Sequence, residues 1–194
     1  MEVGLQGGLG YCISGEKYPH PFMHNTETWG AQFRYKFDRR WALQLKEQGM
    51  FRTQTVKEKV VLDTAVISID LTAECNFYRF GIDEHNIFVK RLSPYIFLGI
   101  GVTMVPDDDF LVAIYSPVGV GLKWNFAERW QLQAAWQHQI YWSKAGDLLD
   151  GEANYKPELT IKNNIFNNDL VSTITVGIVY EFAVVKDGCV VCRQ

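Results

Sequence analysis

The stretch Thr175-Val176-Gly177-Ile178-Val179-Tyr180-Glu181-Phe182 alternates strictly and ends on an aromatic residue. Read as a strand together with the two residues before it, it puts Ile174, Val176, Ile178, Tyr180 and Phe182 on one face. Thr173, Thr175, Gly177 and Glu181 fall on the other, where only Val179 breaks the polarity. Successive strand side chains point to opposite faces, so this is one apolar and one polar surface. A soluble sheet can show this once. A barrel that crosses a membrane must show it in every strand, because lipid demands an apolar outside and a closed set of backbone hydrogen bonds.

The rest of the chain repeats the pattern. Eight alternating segments run over about 2–13, 27–37, 41–52, 64–78, 94–105, 112–126, 130–142 and 171–182, and helical periodicity is absent. In the second, Trp29, Ala31, Phe33, Tyr35 and Phe37 alternate with Gly30, Gln32, Arg34 and Lys36. In the seventh, Leu132, Ala134, Trp136, Ile140 and Trp142 alternate with Gln131, Gln133, Gln137 and Gln139. The even number and spacing predict an all-β fold, an eight-stranded antiparallel up-and-down transmembrane β-barrel without free edges, over residues 1–182. Residues 183–194 read as a tail on the periplasmic side. The connections alternate in length. Asp38-Arg39-Arg40 and Ala127-Glu128-Arg129 are short, whereas 14–26, 53–63, 106–111 and 143–170 are long, as the two rims of an outer-membrane barrel require. The connection 79–93 falls on the short-turn rim yet is long and charged.

A net charge of -3 without a Lys/Arg cluster argues against nucleic acid as a partner. No apolar run is long enough for a membrane helix, and no apolar export signal opens the chain, so an exported protein would here be in its mature form.

A short internal repeat marks one rim. Phe37-Asp38-Arg39-Arg40-Trp41-Ala42-Leu43-Gln44 and Phe126-Ala127-Glu128-Arg129-Trp130-Gln131-Leu132-Gln133 share F-x-x-R-W-x-L-Q across a short turn. Phe37, Trp41, Phe77, Phe126, Trp130, Tyr180 and Phe182 are expected to form an aromatic girdle at a membrane interface, in contact with outer-membrane lipid or lipopolysaccharide. Inside, Arg34, Lys36, Lys46 and Lys123 meet Asp70, Glu74 and Glu181. An eight-stranded lumen holds only its own side chains, so these charges are expected to pair, with Lys36, Glu74, Lys123 and Glu181 close to the short-turn rim.

The chain offers little for catalysis or metal binding, and no cofactor is expected. Cys189 and Cys192 form a CxxC without a second pair. His20 and His24 lack further ligands at zinc-like spacing, and Asp107-Asp108-Asp109 lacks the calcium-loop pattern. Ser116 has no nucleophile elbow around it. His138 stands out on the lipid side of the seventh segment. It is the one candidate for an enzyme acting on lipid, and its alternation neighbours Trp136 and Ile140 supply no acid.

Trp29 to Phe37 followed by Arg40-Trp41-Ala42-Leu43 resembles the second hairpin of PorG-type proteins, small outer-membrane barrels of the Bacteroidetes. Ser93 to Gly101 resembles that family's fifth strand, and Pro117 to Asn125 with Glu128-Arg129-Trp130 its sixth and seventh. The final segment is also similar to the terminal signal by which bacterial outer-membrane barrels are recognised for insertion. The resemblance implies a non-enzymatic subunit of the type IX secretion system, bound at its periplasmic rim by secretion-ring or motor subunits, or else an accessory barrel of another complex such as the barrel-assembly machine. Asp83, Glu84, Lys90 and Arg91 in the charged connection are the expected partner contacts.

Overall fold

The computed structural model describes residues 1–13, 26–56, 59–80, 89–105, 111–142 and 170–182. Eight long strands close into a barrel: β1 (Glu2–Ile13), β2 (Thr26–Lys36), β3 (Trp41–Val56), β4 (Lys59–Asn76), β7 (Leu92–Val105), β8 (Leu111–Asn125), β9 (Trp130–Tyr141) and β10 (Leu170–Glu181). Each pairs antiparallel with its neighbours in chain order, and β1 pairs with β10 from Glu2↔Glu181 to Ile13↔Leu170. Two-residue strands β5 (Arg79–Phe80) and β6 (Val89–Lys90) pair in parallel between β4 and β7. The closed ring leaves no strand edge unpaired.

Side-chain alternation produces the two surfaces. On β9, Gln131, Gln133, Gln137 and Gln139 are buried in the lumen, while Trp130, Leu132 and Trp136 are exposed on the outside. The last strand behaves likewise: Thr173, Thr175, Val179 and Glu181 face in, and Ile174, Val176, Ile178 and Phe182 face out. This is the inverse of a soluble barrel. The polar groups are the core, and the apolar groups form the surface.

Inward glycines make room for rings from the next strand. A Cβ on Gly119 would strike the Phe97 ring, one on Gly121 the Tyr95 ring, and one on Gly101 the Tyr115 ring. Alternation marks these glycines as small lumen positions but does not assign the aromatics that fill them. The region 53–63, expected to be a long loop, differs most. The β3–β4 hairpin continues to Val56↔Lys59, with a register shift between Gln54 and Thr55. Backbone pairing thus runs past Arg52 and Thr64, where the sequence alternation stops, and the extra residue at the shift, Val61, lies on β4.

Candidate functional site

The lumen holds the charged residues, and the strands bring them there by parity and register. At the short-turn end Arg34 of β2 is fully buried and bridges two carboxylates. Its Nη1 lies 2.6 Å from Glu2 Oε2 on β1, and its Nη2 donates to Glu74 Oε1 on β4 at 3.1 Å. Arg34 Nε stands 2.8 Å from Glu74 Oε2, an ionic contact off the hydrogen-bond axis. Lys123 Nζ reaches across from β8 to the same Glu74 Oε2 at 2.6 Å. Lys36 pairs with Glu2 and, at 3.0 Å, with Glu181. Gln131 donates to Glu2. Three cations thus meet three anions in one layer.

Above it lies a layer of amides. Gln32 and Gln133 exchange hydrogen bonds at 3.2 and 3.1 Å, Gln44 donates to Gln32, and Thr72 donates to Gln44 at 3.3 Å. The next layer is centred on Asp70, which faces Lys46 at 3.1 Å and accepts from Gln137 Nε2 at 3.0 Å and from the Tyr115 hydroxyl. Toward the long loops the filling turns aromatic. Tyr115 and Tyr141 pack with ring centres 5.2 Å apart beside Met50, Val66, Ala113 and Val171.

Counting both charged layers, Arg34, Lys36, Lys46 and Lys123 are matched by Glu2, Asp70, Glu74 and Glu181 among the described residues. Glu2 is the one member that sequence reading misses. Two signals point to it: it shares the parity of Gly4 and Gln6, and without it the lumen would carry one cation too many.

The aromatic residues cluster where the short turns lie. Phe37, Trp41, Phe77, Phe126, Trp130 and Phe182 are exposed on the outside, and Tyr180 packs on Trp130 with ring centres 5.0 Å apart. Arg129 Nη1 donates to the Tyr180 hydroxyl at 3.4 Å. The start of the connection between β4 and β7, at Phe80, packs against this mouth. Phe80 N donates to the Arg39 carbonyl at 3.1 Å, and the buried Phe80 ring lies 5.9 Å from Lys36 Nζ. Arg91 is exposed beside it and Lys90 lies in β6, while Asp83 and Glu84 fall outside the described residues.

His138 does sit on the outward face, toward the long-loop end, and its Nδ1 lies 2.6 Å from Ser172 Oγ on β10. Trp136 packs edge-on against the imidazole and donates from Nε1 to the Tyr11 hydroxyl at 3.2 Å. Ser172 has 0% exposure, and the contact satisfies two polar groups on an apolar wall. His20, His24, Asp107 to Asp109, Cys189 and Cys192 fall outside the described residues, and no metal-binding group is found among the described ones.

Solved structures align with almost the whole chain. Neisserial surface protein A does so with a TM-score of 0.62 at 11% identity, covering 93% of this chain and 96% of its own. The fold is that of the eight-stranded outer-membrane barrels. OprG from Pseudomonas aeruginosa (TM-score 0.53, 12% identity) covers 94% of this chain and 96% of its own. Ail, the attachment invasion locus protein of Yersinia pestis (TM-score 0.52, 16% identity), covers 92% and 97%. No protein-family model and no curated protein matches the chain. At such identities the likeness carries architecture alone.

Proposed function

We propose that this protein resides in a bacterial outer membrane as a non-enzymatic structural subunit of a larger complex, most closely fitted to the type IX secretion machinery. The observation that carries this reading is how the lumen uses its charges. Every described inward carboxylate is bound to a cation in a filled interior, so these groups act as cross-braces between distant strands. Arg34 alone ties β2 to β1, β4 and β9. An apolar wall with aromatics at one rim supports insertion in lipid.

The short-turn rim is the natural partner surface. It presents exposed Arg40, Arg91 and Arg129 together with the buried Phe80, and the connection with Asp83 and Glu84 leaves from it. The PorG-type resemblance assigns this rim to the periplasm and its partners to the secretion ring or motor.

The test is purification through a C-terminal tag from native outer membranes in mild detergent, with mass spectrometry of the proteins that accompany the barrel. Ring or motor subunits in stoichiometric amounts are the expected result, reduced by Lys at Asp83 and Glu84. Barrel-assembly components would move the subunit to another machine. Recovery of the barrel alone would overturn the reading.

A further inference from the structure

Glu47 breaks the rule that governs the outer wall. It points outward from the middle of β3, between Leu45 and Gly49, opposite Ala31 on β2 and Ile69 on β4. Glu27 and Glu47 are the charged groups on the outward face of the barrel strands among the described side chains. Glu27 stands at the long-loop end of β2. Glu47 lies six residues along β3 from Trp41. With a rise of about 3.3 Å per residue and a tilt near 40°, that is about 15 Å from the aromatic rim, inside an apolar band about 25 Å tall. No described group forms a hydrogen bond or ion pair with its carboxylate.

A shallow, open depression lies at the same place. A groove of about 1020 Å³ runs from Glu47 past Leu45, Ala31, Leu5 and Gly7 to Trp130 and Tyr180 of the rim. Its floor is small where the chain's own packing does not need it to be. A Cβ on the outward Gly7 would meet only the Thr28 carbonyl oxygen, at an ordinary 3.7 Å. At the neighbouring Gly8 a Cβ would run into the Ile174 carbonyl. Gly8 is small because the barrel needs it; Gly7 keeps open a space outside the barrel.

We propose that this groove seats the membrane-spanning wall of a different protein, which brings a Lys, Arg or amide donor to Glu47. The inference rests on the complex-subunit reading above and names the part of the barrel that does the binding. Charge complementarity selects the occupant. An ionisable group at this depth pairs with another group rather than with lipid. Acyl chains carry no donor, and lipid head groups lie at the rims. A second copy of this chain presents no Lys or Arg on the described outward face of its strands. Small residues at Gly7 and Ala31 allow a partner's backbone to approach closely, as at other interfaces within membranes.

The experiment places a photo-crosslinking residue at Ala31 in the native host, with Leu98 on the far wall as control. Heat-dependent gel mobility verifies that each barrel is folded. The expected result is one discrete adduct from Ala31, absent from Leu98, whose mapped peptide is a membrane-spanning segment of another protein bearing an outward Lys, Arg, Asn or Gln. Its yield falls at least tenfold in Glu47→Leu and in Gly7→Phe. Should Gly7→Phe not fold, Glu47→Leu alone gives the answer. An unchanged yield in Glu47→Leu overturns the proposal, as does an adduct only with lipid or only with a second copy. If tagged purification still recovers partners while the Ala31 result fails, the groove inference falls and the subunit reading stands. If the wild-type barrel is recovered alone, both fall.

Discussion

Glu74 and Glu47 are both strand glutamates on neighbouring elements of one barrel, and they live under opposite conditions. Glu74 faces in, has 0% exposure and is held by Arg34 and Lys123. Glu47 faces out and has no described partner. One step of strand parity separates a brace from an anomaly. The inner wall has neutralised each of its described charges, whereas the outer wall, away from its rims, has left Glu47 open. A carboxylate inside this barrel is therefore read as structure, and one outside it as an invitation to a partner.

The comparison breaks most sharply at Arg34. Arg34→Leu leaves Glu2 and Glu74 short of their shared cation, and stranding buried charge costs about 3–5 kcal/mol. Urea titration followed by heat-dependent gel mobility should show a much lower unfolding midpoint or no folded barrel. Lys46→Leu is gentler, because Asp70 keeps Tyr115 and Gln137. A loss of about 1–3 kcal/mol is expected in the same titration. Glu47→Leu should act in the opposite direction. Removing a carboxylate from a lipid-facing wall stabilises the isolated barrel by about 1–2 kcal/mol, and a drop in stability would end the contrast with Glu74. Gly7→Ala is the smallest change, within about 0.5 kcal/mol of wild type in detergent, since the added methyl makes only an ordinary contact with the Thr28 carbonyl oxygen.

Much of the architecture is legible in the sequence because lipid imposes one rule on every strand, and a period of two is easy to read. The F-x-x-R-W-x-L-Q repeat places two short turns, at Asp38 to Arg40 and Ala127 to Arg129, where the structure has them. The rule loses force past Arg52, where Thr53, Gln54 and Thr55 are polar at successive positions, and there the paired end of the β3–β4 hairpin reads as loop. Inside, charged residues can be assigned by parity alone, but Tyr95, Phe97, Tyr115 and Tyr141 cannot. An aromatic ring suits either face, and only the inward glycines opposite reveal its place. Ser172 escapes notice for a related reason: one serine on an outward face carries no message until register sets His138 beside it.

The groove is the least legible feature. Gly7 and Ala31 are unremarkable as letters, and Glu47 is distant from both along the chain. In space, the pairing Leu5↔Ala31↔Glu47 lines them up across three strands. Such a hollow is a property of register, which alternation does not encode.

The seam between β1 and β10 has a consequence of its own. Phe182 N donates to the Met1 carbonyl at 3.1 Å, just past the first pair of the β1–β10 ladder, so both ends of the barrel leave from one point on the short-turn rim. The strand order is a ring with an arbitrary starting place. A chain begun at the Asp38 to Arg40 turn, with Phe182 joined to Met1 by a brief linker, would retain every described strand pairing, and a circular permutant of this kind is the natural scaffold for moving a reporter around the rim.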